Sequence, residues 1–293
     1  MPLIDIHTHA SLYQIVPHRD GTYFISPEEL VATLDRNGVD KAVVLPLVSP
    51  SQRTMLIPTE QVLEACARFP ERLIPFMNLD PRQDKYSLES DFSRAIRSYQ
   101  KHGCKGVGEV TTNLPFDDPL VWHLFGFYER AELPLIFHIA PAVGSYYGLV
   151  DDLGLPRLEK TLARFPKLRF LGHSQPFWAE ISTDVTAANR NGYPNGPVTP
   201  GRIPELMRRY PNLNGDLSAG SGLNAISRDP AFGYRFLEEF QDRLFFGTDL
   251  LRAGQEMPQV ETLKSAVQRG AISKTAYAKI TWENAAKLLD IAV

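Results

Sequence analysis

The sequence predicts an α/β protein, a single-domain (β/α)8 barrel of the TIM-barrel type. Eight short apolar runs recur along the chain, and a longer amphipathic stretch follows each of them. Successive runs begin 38, 32, 31, 30, 34, 45 and 31 residues apart, which is close to the length of one strand–helix unit. Runs that are apolar on both faces are typical of parallel strands covered on both sides. An open doubly wound sheet has the same local pattern, but no glycine-rich dinucleotide-binding turn follows the first run.

The apolar runs and the helix signals between them define the predicted elements. The eight predicted strands are residues 3–9, 41–47, 73–79, 104–110, 134–139, 168–173, 213–218 and 244–249. Ser26-Pro27-Glu28-Glu29 forms a capping box with proline at the first helical position, and Asn37-Gly38 ends that helix. Helical patterns at residues 273–279 and 282–290 follow the eighth run.

The 45-residue interval after the sixth predicted strand is longer than the others. Residues 174–201 include the stretch Asn-Arg-Asn-Gly-Tyr-Pro-Asn-Gly-Pro, whose composition is typical of a loop. Loops that follow barrel strands lie over the C-terminal face, where the active sites of these barrels form. We therefore expect an inserted loop over the active site, within one domain that spans residues 1–293, because no composition break divides the chain.

Composition excludes several classes of protein. The chain has 293 residues and a net charge of −3, from 31 basic and 34 acidic side chains. Nucleic acid is therefore a poor candidate partner, because no basic excess is present to neutralise phosphates. No apolar run of 18 residues and no signal-peptide pattern is present, so we expect no membrane association and a cytoplasmic location.

Potential metal ligands stand at the ends of five predicted strands. Positions two apart on a strand face the same side, so both histidines of the first strand can face the barrel axis. Neutral imidazoles and carboxylates together suit zinc, manganese or iron. Each residue alone is weak evidence, but four of the seven histidines share this position with two carboxylates. The six predicted ligands are His7, His9, Glu109, His138, His173 and Asp249.

The motifs around these residues resemble those of the amidohydrolase superfamily. They are Ile4-Asp5-Ile6-His7-Thr8-His9, His138, Gly172-His173, Gly247-Thr248-Asp249 and the tail Trp282-Glu283-Asn284-Ala285-Ala286-Lys287-Leu288-Leu289. The pattern is similar to the amidohydrolase-2 branch, which includes aminocarboxymuconate-semialdehyde decarboxylase and uncharacterised hydrolases. The resemblance spans nearly the whole chain and is specific for fold and metal chemistry, not for substrate.

The resemblance implies roles for the predicted ligands. His7, His9 and Asp249 would bind a first metal, and His138 would bind the same metal or a second one. In decarboxylase-like members the histidine matching His173 acts as an acid or base, whereas in binuclear hydrolases it binds the second metal. Many members place a carboxylated lysine or a glutamate at the end of strand four to bridge two metals. Glu109 occupies this position, although a structural glutamate held by a loop arginine is an alternative.

Three functions follow from these roles. The main prediction is hydrolysis of an amide, lactone or other ester bond by metal-activated water, with Asp249 moving the proton. The first alternative is a mononuclear decarboxylase of a small unsaturated or aromatic carboxylic acid, in which His173 moves a proton. The remote alternative is a barrel without catalysis that binds another molecule. We expect one or two divalent metals per chain, zinc first, with manganese or iron as alternatives.

Residues that could bind the substrate lie in the loops that follow the predicted strands. Arg19, Arg53 and Arg252 lie in loops after the first, second and eighth strands, where each could pair with a substrate carboxylate or phosphate. Phe177 and Trp178 follow His173 closely and could wall the pocket. We therefore expect a small-molecule substrate that can carry a carboxylate. A homodimer is also expected, because dimers are the commonest assembly.

Overall fold

A computed structural model describes residues 1–50, 55–144 and 146–292 of the protein. The strands in these residues all pair in parallel. They are β1 (Ile4–Thr8), β2 (Lys41–Val44), β3 (Leu73–Pro75), β4 (Val107–Val110), β5 (Leu135–Ala140), β6 (Leu149–Val150), β7 (Phe170–His173), β8 (Leu213–Asp216) and β9 (Leu244–Phe245). Each of the eight predicted strands overlaps one of these, and β6 is an additional short strand in the loop after β5.

Helices alternate with the strands, as the periodicity predicts. They are α1 (Pro27–Asn37), α2 (Thr59–Arg68), α3 (Ser93–Lys101), α4 (Pro119–Arg130), α5 (Pro156–Arg164), α6 (Gln175–Ala179), α7 (Arg202–Arg209), α8 (Ala219–Ser227), α9 (Pro230–Glu239), α10 (Pro258–Gln268), α11 (Lys274–Ala278) and α12 (Asn284–Leu289). The predicted capping box at Ser26 and Glu29 is present, and Gly38 ends α1 with a positive φ of 66°. A π-helical turn, Lys279–Glu283, joins α11 directly to α12.

The strands form a ring of two sheets that meet at two seams. One sheet has the order β1-β2-β3 and the other β4-β5-β7-β8-β9, while β6 pairs only with β5. At one seam Met77 pairs in parallel with Val107, and at the other Thr8 pairs with Leu250. This arrangement confirms the predicted parallel α/β fold and brings the C-terminal ends of all the strands to one face. We refer to this face as the mouth.

The interior of the ring explains why the strand ends carry functional side chains. An inner apolar cluster includes Ile136 and Leu171, and α12 closes its lower end. His138 and His173 each lie two residues further along the same strands and therefore point to the same interior, at the mouth. The barrel thus has an apolar floor and a polar upper layer.

Residues 174–201 form the inserted loop, which begins with α6 and returns to the barrel at α7. Its base is closed where Ser182 pairs with Pro200 and the Thr183 amide donates to the Thr199 carbonyl at 2.9 Å.

In the part of the chain that the structure describes, no helix is both long and apolar enough to cross a membrane.

Candidate metal centre

Four predicted ligands converge at the mouth from three parts of the chain. The Nε2 atoms of His7 and His9 are 3.2 Å apart. Glu109 Oε2 lies 3.8 Å from the first of these nitrogens and 3.5 Å from the second, and Asp249 Oδ1 lies 3.6 Å from both. Metal bonds of about 2.0–2.2 Å at tetrahedral angles place ligand atoms roughly 3.3–3.6 Å apart. The donor atoms of His7, His9 and Asp249 therefore suit one divalent ion, and Glu109 Oε2 lies beside the two histidines of this first group.

The second carboxylate oxygen of Glu109 faces the other two histidines. Glu109 Oε1 is 2.7 Å from His138 Nδ1 and 3.9 Å from His173 Nε2. These three side chains form a second group whose donor atoms all lie within 4.8 Å of one another. Glu109 is thus shared between two donor groups, with one oxygen directed to each. The six residues together are called the central cluster below.

Two residues that the sequence analysis missed orient the histidines. His7 Nδ1 donates to Asp216 Oδ2 at 2.6 Å. Ser218 Oγ donates to the same oxygen at 2.9 Å, so it accepts from His173 Nδ1, also at 2.9 Å. Both histidines therefore present Nε2 to the centre. Asp216 lies two residues before the end of the seventh predicted strand and ends β8. This position near a strand end is the signal that could have found it, because the six predicted ligands share it.

His9 is oriented by the backbone instead. Its Nδ1 atom donates to the Leu45 carbonyl at 2.9 Å, which leaves Nε2 as the free acceptor of the ring. Metal-binding histidines commonly hold their other ring nitrogen in this way. The ring orientations of His7, His9 and His173 are therefore all fixed before any ion binds.

Asp249 is placed by a link between β1 and the segment after β9. Asp5 accepts hydrogen bonds from the His7 amide and from both the amide and the hydroxyl of Thr248. Asp249 then adopts a positive φ of 57°, and its amide donates to the His7 carbonyl at 2.9 Å. Burial raises the pKa of Asp5 to about 7, although these hydrogen bonds oppose the shift. The carboxylate of Asp249 is 21 % exposed, so the cluster opens to the mouth at this residue.

The electrostatics of the cluster favour a bound cation. Burial acts to lower the pKa of His7, but Asp216, Asp249 and Glu109 outweigh it and raise this pKa to about 10. Burial and the neighbouring His7 lower the pKa of His173 to about 4, so its imidazole is neutral. Three carboxylates thus stabilise positive charge at the position where the ligand atoms meet.

The carboxylate of Glu109 is surrounded by histidines. Burial acts to raise its pKa, but the hydrogen bonds and charges of His138, His9 and His7 lower it well below the usual value. The sequence alternative, a structural glutamate held by an arginine, finds no support among the contacts of the described residues. Glu109 is an ionised carboxylate directed at both donor groups.

Among the described residues, no hydrogen bond or ion pair joins Arg19 or Arg252 to the central cluster. Arg19 is exposed, and Arg252 pairs with Asp20 at 2.6 Å, while Arg53 lies outside the described residues. Phe177 and Trp178 are buried in the core. The Phe177 ring occupies the space beside Gly172, and Trp178 Nε1 donates to the Asp216 carbonyl at 2.9 Å. These two aromatic residues support the strand ends from behind, which corrects the prediction that they wall the pocket.

Three solved structures are similar to the chain along its whole length. An uncharacterized TIM-barrel protein from Bordetella bronchiseptica is 16% identical with a TM-score of 0.69, and 99% of each chain is covered. The 2,6-dihydroxybenzoate decarboxylase from Rhizobium is 15% identical with a TM-score of 0.64, covering 99% of this chain and 98% of that one. A dihydroxybenzoic acid decarboxylase from Polaromonas, with bound manganese and the inhibitor 2-nitroresorcinol, is 16% identical with a TM-score of 0.61, at 99% and 97% coverage.

Sequence comparison gives the family. No curated protein matches the sequence significantly. The model of the amidohydrolase family, Amidohydro_2, matches residues 4–291. The match covers all six residues of the central cluster and agrees with the resemblance found in the sequence. The chain therefore belongs to the amidohydrolase family.

Proposed function

We propose that this protein is a metal-dependent hydrolase that holds two divalent metals and cleaves an amide, lactone or other ester bond of a small molecule. The observation that carries this proposal is the division of Glu109 between two donor groups. Oε2 faces His7 and His9 of the first group, whereas Oε1 faces His138 and His173. A carboxylate in this position can bridge two ions.

The donor types also limit the metal. The cluster offers imidazole nitrogens and carboxylate oxygens, with no thiolate, and this mixture accepts zinc, manganese or iron. The sequence favours zinc first, and a similar solved structure contains manganese. We therefore propose a divalent metal from this group and expect its identity to depend on availability.

The residues of the chain would divide the hydrolytic step among them. Metals held here would supply a nucleophilic hydroxide at neutral pH and polarise the scissile carbonyl. Asp249 accepts the proton of the attacking water at its carboxylate and passes it to the leaving oxygen or nitrogen. Asp216 holds His7, and Ser218 holds His173, so neither ring can turn its Nε2 atom away from the centre.

Decarboxylation is the second candidate, and the solved structures favour it. Two of the similar solved structures named above are decarboxylases of dihydroxybenzoic acids, one of them with manganese. In this case a metal held by the cluster would provide a binding point for the substrate carboxylate, and His173 Nε2 would take up a proton from water and pass it to the ring carbon. The bond to the carboxylate breaks, its electron pair takes up the proton, and carbon dioxide leaves.

One pair of assays separates the candidates. The metal-loaded protein is offered a panel of lactones, aryl esters and amides, with proton release followed in a weakly buffered solution. It is also offered 2,6-dihydroxybenzoate, with carbon dioxide measured. The proposal predicts hydrolysis of at least one panel member and loss of this activity in His173→Asn, together with part of the bound metal. Carbon dioxide release without hydrolysis, and full metal content in His173→Asn, would reject the proposal in favour of decarboxylation.

A further inference from the structure

A cavity of about 430 Å³ lies at the mouth, between the loop after β5 and the inserted loop. Its volume is within the range of small-molecule sites. Its lining includes Pro141 and Tyr146 on one side and Asn189, Asn191 and Tyr193 on the other. None of the lining residues identified in the described part of the chain carries a charge.

The walls of the cavity follow the two strands that carry His138 and His173 of the second donor group. Pro141 lies three residues after His138, and the ring of Tyr147, the residue after Tyr146, packs on His138 with centroids 4.3 Å apart. On the opposite wall, the Tyr193 hydroxyl accepts from Gln175 Nε2 at 3.3 Å. Gln175 follows His173 by two residues, so the two walls of the cavity extend from the two strands that carry these histidines.

Tyr193 is held at one edge and open on its remaining surface. Its ring packs so closely on Gly220 that a Cβ there would lie 3.1 Å from a ring carbon. Gly220 is in the first turn of α8, two residues after Ser218. The side chain is nevertheless 52% exposed, so about half of it is available for contact. The ring is therefore positioned but not covered.

The inserted loop that carries Tyr193 is anchored by a buried arginine. Arg190 is 3% exposed, and its Nη1 donates to the Asp151 carbonyl at 3.0 Å. Its Nη2 lies 3.7 Å from Glu180 Oε1, and Glu180 is itself buried. A second pair, Arg228 with Asp184, joins the same loop to the end of α8 at 3.3 Å. These contacts fix the loop as a wall.

We propose that this cavity selects a planar ring on the substrate, with Tyr193 and Tyr146 as the specificity-determining residues. Aromatic side chains pack on planar rings in offset or edge-to-face arrangements. Asn189 and Asn191 supply amide groups for hydroxyl or carbonyl substituents of that ring, and the uncharged lining leaves charged groups to the metal centre. The inference deepens the proposed function, since it assumes that the reacting group of the substrate binds at the cluster.

The test compares two acids that carry the same two substituents, one on a planar aromatic ring and the other on a puckered saturated ring. The probes are 4-hydroxybenzoate and trans-4-hydroxycyclohexanecarboxylate, and their Kd values for the metal-loaded protein are measured by calorimetry. Wild type should bind the aromatic acid more tightly. Tyr193→Ala should weaken its binding about three- to tenfold and leave the Kd of the saturated acid within about twofold. Tyr193→Phe, which keeps the ring, should stay within about twofold of wild type for both acids.

A matched control uses another tyrosine at the mouth. Tyr86 is 64% exposed in the segment between β3 and α3, and Tyr86→Ala should leave both Kd values unchanged. Equal affinity of wild type for the two acids would overturn the inference, and so would an equal loss of both in Tyr193→Ala. These are binding results, so the absence of hydrolysis would reject the proposed function and leave the planar-ring site standing. Hydrolysis without a preference for the aromatic acid would support the proposed function and reject the planar-ring site.

Discussion

The strand ends and the inserted loop form two halves of the mouth, and they are built differently. The side chains of the central cluster are buried, apart from Asp249, and each is fixed by the strand ladder and by polar partners such as Asp216. The inserted loop is held by a few anchors, mainly Arg190, and leaves Tyr193 half exposed. The difference indicates that the barrel determines the chemistry and the loop determines which molecule receives it. Substitutions in the two halves should therefore change different quantities.

The largest effect is expected at the exposed edge of the central cluster. Asp249→Ala removes a ligand and the proposed proton carrier, so activity should fall by more than about 100-fold, beyond the range typical of residues that only orient a ligand. Metal content should fall with it, as measured by elemental analysis after gel filtration. The circular dichroism spectrum should remain that of wild type, because Asp249 is 21% exposed. A fully active, metal-free Asp249→Ala protein would contradict the whole account.

A smaller effect on the same half is expected from the residue that orients His7. Asp216→Asn keeps the shape of the side chain but removes the charge that holds His7 Nδ1 at 2.6 Å. Metal affinity should fall about 10- to 100-fold, the usual range for such partners. The measurement is competition with a chelator of known affinity. Trp178→Phe removes the hydrogen bond to the Asp216 carbonyl and part of a buried ring but keeps the Asp216 carboxylate. It therefore serves as a packing control, and an equal loss in both variants would assign the effect to packing instead.

The loop half should respond in ligand affinity and not in metal affinity. Arg190→Met removes the buried anchor, so the Kd of 4-hydroxybenzoate should rise about threefold or more, on the same scale as loss of the Tyr193 ring. Metal content should stay at the wild-type value. Arg190→Lys keeps the charge and should restore part of the affinity. A drop in melting temperature with no change in Kd would show that Arg190 is structural only.

The smallest effect is expected at Arg252, which the sequence predicts to bind the substrate. Arg252 is paired with Asp20 on the surface, and exposed ion pairs contribute little. Arg252→Ala should therefore change the Kd of 4-hydroxybenzoate less than twofold and the free energy of unfolding by less than about 0.5 kcal/mol. The Kd is measured by titration with 4-hydroxybenzoate, and the free energy of unfolding by titration with urea. A tenfold rise in Kd would place Arg252 in the site and extend the pocket across the mouth.

The same division explains how much could be predicted from sequence. The strands follow from apolar periodicity, and the six cluster residues follow from their positions at strand ends, because parallel strands must deliver their ends to one face. Asp216 also lies near the end of a predicted strand and could have been found in the same way. Phe177 and Trp178 were assigned to the pocket by adjacency to His173, but the first turn after a strand can fold back onto the core, as α6 does. Tyr193 and Gly220 are far apart in the sequence, so no local sequence pattern could predict their contact.

The central claim is that Glu109 bridges two metals, and metal counting tests it most directly. Protein purified without chelator is analysed for zinc, manganese and iron per chain, beside Glu109→Gln prepared in the same way. The account predicts about two metals per wild-type chain, falling to one or fewer in the variant. Close to one metal per chain, unchanged in Glu109→Gln, would contradict it, because Glu109 would then be structural and His173 free to act as the proton donor of a decarboxylase.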